Sequence, residues 1–173
     1  MDSKQEDNHM SEEDEQLARI VFVKSPTIWG KLIRVVSRSA YDHVALLVDG
    51  YVYEINYSYG ITKYTLEDYR TPFPDKPHLK NKLHIEMSIG FENKGKLIQS
   101  MRSMYHSGFK YNLLGTLLYP LRKWYVLERE GYVNCIQFVD TALKSIDVDL
   151  TEGKFLNPRE LIRQIDRWGK GKK

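Results

Sequence analysis

The chain has a single cysteine, Cys135, among 173 residues. One cysteine excludes an intramolecular disulfide framework and fits a reducing compartment. Long apolar runs are also missing. The richest stretch, Leu113 to Leu121, falls well short of the roughly 18 residues that a membrane span requires and is broken by Gly115 and Pro120. The N-terminus lacks the basic and apolar regions of a signal peptide. No glycine-rich phosphate loop leads into a helix, and His9, His78, His84 and His106 do not have the spacing of a metal site with Cys135. Basic residues alternate with tyrosines in places, but no recognisable nucleic-acid module accompanies them. The expectation is a soluble cytoplasmic protein with no metal, no cofactor and no specific nucleic acid.

What is present describes a folded domain. A hydrophobic fraction of 42% and an aromatic fraction of 12% suit a chain of this length that buries one substantial core. Charge is unevenly spread. Residues 1–16 carry seven acids against one base and no apolar periodicity, and read as a disordered acidic tail. The remaining chain holds 25 basic and 16 acidic residues, a net of +9, which favours anionic surfaces or substrates. Residues 17–168 are expected to form the single domain, with a loose basic tail over 169–173.

Local patterns place the elements. Ile20-Val21-Phe22-Val23 suits a buried strand, and Ser25-Pro26 reads as an N-cap with proline at the first helical position. Ile28, Trp29, Leu32, Ile33 and Val36 then give an amphipathic helix, with Lys31, Arg34 and Arg38 on its wetter side. Asp49-Gly50 between two β-branched and aromatic runs predicts a tight hairpin, because both central residues of a type I′ turn need positive φ. Ser58-Tyr59-Gly60 is a turn before a short strand, and Thr65-Leu66-Glu67-Asp68 opens one or two helical turns. Lys82 to Met87 alternates as a strand, and Leu97, Ile98, Met101, Met104 and Tyr105 mark a helix closed by Gly108. A leucine-rich segment from Asn112 to about Trp124 is expected to pack as a helix. Ile136, Phe138, Val139, Ala142 and Leu143 put Cys135 in the first turn of a buried helix, and Asn157-Pro158 opens the last one.

The hairpin and the lone cysteine carry the chemistry. A turn at Asp49-Gly50 sets Val48 opposite Tyr51, Ala45 opposite Glu54 and His43 opposite Asn56. His43, Glu54 and Asn56 then share one face of the sheet, a base beside an orienting acid. A helix start exposes unpaired N–H groups and a positive dipole end, which favour a thiolate at Cys135 and can hold the oxyanion formed when that thiolate attacks an acyl carbon.

In this order the motifs resemble the NlpC-type papain-like cysteine hydrolases, in the circularly permuted branch where histidine precedes cysteine. The resemblance covers about Leu17 to Leu161. It rests on Asp42-His43-Val44-Ala45-Leu46-Leu47-Val48-Asp49-Gly50, Val52-Tyr53-Glu54, Gly60-Ile61, Thr65-Leu66, Tyr111-Asn112, Asn134-Cys135-Ile136-Gln137-Phe138-Val139 and Asn157-Pro158-Arg159-Glu160-Leu161. It implies an α+β, circularly permuted papain-like fold: a small antiparallel sheet packed by helices, with the cysteine helix crossing the histidine-bearing strands. It also implies Cys135 as nucleophile, His43 as general base and Glu54 as the residue that orients the imidazole. Ile136 stands where many relatives have serine. The Asn-Cys-x-x-Phe-Val wording is similar to the lecithin:retinol acyltransferase-like members, which transfer or hydrolyse lipid acyl groups.

Three functions compete at this point. The first is a thiol hydrolase cleaving an amide, isopeptide or ester bond of a peptide, amide or acyl-ester substrate through an acyl-enzyme. The second is a lipid acyltransferase or phospholipase. The third is a catalytically idle binding or structural protein with the same fold. Oligomeric state is open.

Overall fold

The computed structural model describes residues 18–76, 78–89, 94–112, 131–154 and 156–171. The acidic tail over 1–16 and nearly all of the leucine-rich segment expected to be a helix lie outside them.

The described chain is α+β. Five strands, β1 (Ala18–Lys24), β2 (His43–Val48), β3 (Tyr51–Asn56), β4 (Gly60–Thr65) and β5 (Lys82–Ile89), form an antiparallel sheet in the order β4-β3-β2-β1-β5. Helix α1 (Ile28–Ser37) joins β1 to β2, and the short α2 (Leu66–Arg70) follows β4. Helix α3 (Lys94–His106) comes next. A two-residue parallel pair, β6 (Lys110–Tyr111) and β7 (Tyr132–Val133), leads into α4 (Cys135–Lys144), and α5 (Pro158–Gly171) ends the chain.

The hairpin forms as its residues require. Asp49 and Gly50 take φ of 53° and 71°, and the register is Val48↔Tyr51, Leu47↔Val52 and Leu46↔Tyr53. Alternation then divides the sheet into two faces. Ile20, Phe22, Val44, Leu46 and Ile55 join Leu97, Met101, Phe138, Val139 and Leu161 in the main core, while Val21, Val23, Ala45, Leu47 and Val52 face Tyr69 on the other side. Helix α4 packs on β2 and β3 from the main-core side, and α3 packs on α4. Asp140 is buried in α4 because Thr151 donates to it through both N–H (3.2 Å) and hydroxyl (2.8 Å), with Lys144 Nζ at 2.8 Å.

Three details differ from the sequence reading. Thr27, not Ser25, is the N-cap of α1, its hydroxyl accepting from Gly30 N–H at 3.0 Å. Ser25 instead binds Asp42 through its N–H (3.0 Å) and hydroxyl (2.6 Å), and Arg34 pairs with the same carboxylate. Second, α1 is rotated from the expected seat. Ile28, Trp29 and Leu32 face solvent and Arg34 is half-buried beneath the helix with buried Gly30, whereas Ile33 and Val36 are half-buried and Lys31 and Arg38 exposed as expected. Gly30 allows this close seat, since a Cβ there would lie 2.1 Å from Ser25 Oγ and 2.6 Å from Asp42 Oδ2. A buried carboxylate with three anchoring donors outweighs the apolar pattern of a ten-residue helix. Third, the loose tail expected over 169–173 does not start at residue 169, because α5 continues to Gly171 with no proline to stop it.

The Asp42 cluster makes a stability prediction. Asp42→Ala strips the carboxylate from a half-buried guanidinium and from Ser25, and is expected to cost about 2–3 kcal/mol. Urea unfolding of the variant measures it; a loss below about 1 kcal/mol is the value for an exposed pair and rules out this anchoring role.

Candidate active site

Cys135 enters through a well-made helix start. Asn134 is the N-cap with extended backbone; its side chain accepts from Gln137 N–H at 2.8 Å, and the Gln137 side chain accepts from Asn134 N–H at 2.9 Å. This reciprocal box satisfies two of the four unpaired donors of the helix start. The N–H groups of Cys135 and Ile136 are the two it does not take. The same device opens α5, where Asn157 and Glu160 exchange hydrogen bonds at 2.9 and 3.0 Å.

His43 is the first residue of β2, opposite Val23 of β1. Its position at the strand end lets one imidazole meet groups from both faces of the sheet. From the main-core face comes Cys135, close enough to the ring for the charges of the two groups to act on each other. From the other face comes Glu54 of β3, with Oε2 at 2.7 Å from His43 Nε2. That approach lies off the direction of a linear N–H bond, so the contact is a charge pair first.

Glu54 is held from three sides. Tyr69 donates to Oε2 at 2.6 Å and Asn56 Nδ2 to Oε1 at 3.1 Å, with His43 completing the set. Asn56 is itself fixed, accepting at Oδ1 from the N–H groups of Ser58 and Tyr59 in the β3–β4 turn. The structure therefore brings together all three residues picked out by the sequence, Cys135, His43 and Glu54, with Asn56 beside them. Reading the sequence missed two others. Tyr69 comes from α2, and no local pattern marks it except its place one turn after the Thr65 cap. Tyr111 of β6 hydrogen-bonds the Cys135 sulfur and was visible only as an aromatic next to Asn112.

Electrostatics in this buried cluster favour charge separation. Burial pushes the Cys135 thiol up, but the His43 charge and hydrogen bonds from His43, Val44 N–H and Tyr111 pull it further down, leaving it below the ordinary thiol value. Burial lowers His43, yet the facing charges of Cys135 and Glu54 raise it well above the usual imidazole range. Burial raises Glu54, and the His43 charge with the bonds from Tyr69 and Asn56 overrides this to hold it at about 2. Tyr69 is pushed well up by burial and by the Glu54 charge, so it stays a protonated donor. Each of the shifts at Cys135, His43 and Glu54 favours the charged form of its group.

Compared with family models and with curated proteins, the chain matches none of them. Function has to be read from the side chains themselves.

Two cavities adjoin the cluster. A cleft of about 700 Å³ reaches His43, Glu54 and Tyr111 and is walled by aromatic and proline side chains, among them Trp29, Tyr57, Tyr59, Tyr64 and Phe73. Cys135 is not among the residues lining this cleft and is 5% exposed. It borders a second space of about 30 Å³, with Asp42, Asn134 and Asn157 around it, enough for a water-sized molecule.

Proposed function

We propose that the chain is a thiol hydrolase of circularly permuted papain-like fold that cleaves an amide, isopeptide or ester bond through an acyl-enzyme on Cys135. The observation that carries this reading is the series Cys135–His43–Glu54, in which a thiol at a helix start and a fixed carboxylate act on one imidazole, the carboxylate oxygen 2.7 Å from its Nε2. A cysteine filling a core has no use for a charged imidazole. The chain order, with the histidine hairpin ahead of the cysteine helix and that helix laid on the histidine strand, fits the permuted arrangement.

The chemistry follows from the atoms. With Nε2 facing Glu54, Nδ1 is the ring nitrogen left to hold the thiol proton. The Cys135 thiolate attacks the acyl carbon, a C–S bond forms, and the carbonyl oxygen becomes an oxyanion within reach of the Cys135 and Ile136 N–H groups. The Tyr111 hydroxyl, which helps to lower the thiol, is a third donor near that point. Collapse breaks the bond to the leaving group, which takes the proton from Nδ1. His43 then removes a proton from water as it attacks the thioester, and the acid leaves as the thiolate is restored. Glu54 remains ionised and keeps the imidazolium oriented.

A second reading, transfer or hydrolysis of a lipid acyl group at the same cysteine, is favoured by the aromatic lining of the cleft. The first test serves both. Wild type incubated with activated acyl esters and amides, then quenched in acid, is expected to carry one acyl group by intact-mass measurement, labile to hydroxylamine and absent in Cys135→Ala. A wild-type mass unchanged across the panel, or an adduct equally present in Cys135→Ala, removes the acyl-enzyme.

A further inference from the structure

Helix α1 presents its apolar side to solvent. Ile28 is 82% exposed, Val35 74%, Trp29 58% and Leu32 43%. Positions 28, 32 and 35 recur at the four- and three-residue spacing that stacks side chains on one helical face, and Trp29 sits at its edge. Beneath the helix Gly30 lies on Ser25 and Asp42 and Arg34 pairs with Asp42, while Ile33 and Val36 are half-buried. A surface helix ordinarily turns its apolar stripe to the core. Here four large apolar side chains of the helix stay outside, and a contiguous exposed apolar patch of this kind marks an interaction site.

Three further observations indicate what it meets. Lys31 and Arg38, both exposed, stand along the flank of the stripe opposite Trp29, and α1 contains no acid. From residue 17 onward the chain carries a net charge of +9. The patch also continues into the mouth of the 700 Å³ cleft, because Trp29 belongs to both and Tyr57, Tyr59 and Phe73 stand exposed around the same opening. An apolar crest with a basic flank and aromatics at the rim is the pattern of a helix lying in a lipid interface. A second copy seated there would bring two sets of Lys31 and Arg38 together. Residues 1–16 offer only Met1 and Met10 as apolar side chains to cover the crest.

We propose that α1 is an interfacial helix that seats the protein on an anionic lipid surface, with the mouth of the cleft turned toward the bilayer. Ile28, Leu32 and Val35 enter the acyl boundary, Trp29 and the rim tyrosines lie at headgroup level, and Lys31 and Arg38 meet the anionic headgroups. The seating does not depend on the chemistry at Cys135.

Flotation of the full chain with vesicles of phosphatidylcholine, alone or with about one third phosphatidylserine, tests the proposal. Wild type is expected to float with the anionic vesicles and much less with the neutral ones. The variant carrying Ile28→Ser, Leu32→Ser and Val35→Ser is expected to bind at least about tenfold more weakly, because the interfacial area is gone. Lys31→Glu with Arg38→Glu is expected to abolish the preference for anionic vesicles. All five side chains project outward, and an unchanged urea midpoint verifies that the variants fold. Cys135→Ala is expected to bind as wild type does, so a failed hydrolase reading leaves this result standing. The proposal is overturned by a wild type that does not float, or by a triple serine variant that floats as well as wild type. Two other results overturn it in favour of a different occupant. Wild type that sediments as a dimer while the triple variant is monomeric, neither binding vesicles, assigns the face to a second copy. Hydrogen-exchange protection of residues 1–16 that disappears in the triple variant assigns it to the acidic tail.

Discussion

Cys135 is expected to react with iodoacetamide at pH 6.5 at least about tenfold faster than a free thiol, which with a pKa near 8.5 is only about 1% ionised there. The ionised fraction alone would allow a factor of about 100, and the lower intrinsic nucleophilicity of a low-pKa thiolate takes back part of it. His43 is the source of most of the gain, since its charge and hydrogen bond are the largest influences opposing burial of the sulfur. His43→Ala is therefore expected to leave a thiol raised by burial and slow to label below pH 8. The pH profile separates the outcomes. For wild type the rate rises at a pH below the ordinary thiol range, and a second change appears at high pH, where the raised His43 loses its proton and the ion pair ends. Superimposable profiles for wild type and His43→Ala, or labelling of wild type only after unfolding, would make Cys135 a core residue and put the idle binding protein ahead.

Glu54→Gln is expected to lower turnover by roughly 10²–10⁴-fold while removing less of the alkylation advantage than His43→Ala does. The reason is the tautomer. Asn56 donates at the Oε1 place, so the new amide nitrogen settles at the Oε2 place beside His43 Nε2, where Tyr69 hydroxyl can turn to accept. An N–H facing Nε2 makes that atom an acceptor and moves the imidazole proton to Nδ1, which then cannot take a proton from the thiol. Tyr69→Phe, which leaves the charge but removes one donor, is expected to cost only a few-fold in turnover and to move the loss of activity at low pH upward, because one of the bonds that lower Glu54 is gone. A merely structural Tyr69 would alter stability and leave the pH profile in place. Acid unfolding gives an independent reading of Glu54. A carboxyl with a lowered folded pKa adds stability above its unfolded value of 4.5 and loses it as pH falls toward about 2, so wild type is expected to weaken across that window and Glu54→Gln to lack that part of the fall. Equal acid profiles would mean that Glu54 is not held as a carboxylate.

Short-range chemistry by itself determined much of this protein. Asp49-Gly50 dictates a hairpin because few other pairs tolerate two positive φ angles in succession, and with that turn in place the alternation of a strand puts His43, Glu54 and Asn56 on one face. Asn134 three residues before Gln137 specifies a helix start at Cys135, since a cap is a bond between near neighbours. Only the tertiary structure decided what surrounds these pieces. Tyr69 and Tyr111 reach the site from elements far along the chain, and their roles arise from the end of β2 lying between two layers, which no periodicity records. The orientation of α1 was decided the same way. Its pattern of apolar residues names a stripe but not the direction in which the stripe points; that came from Asp42, a carboxylate eight residues beyond Arg34 whose burial demanded Ser25 and Arg34 beneath the helix and left Ile28, Leu32 and Val35 outside.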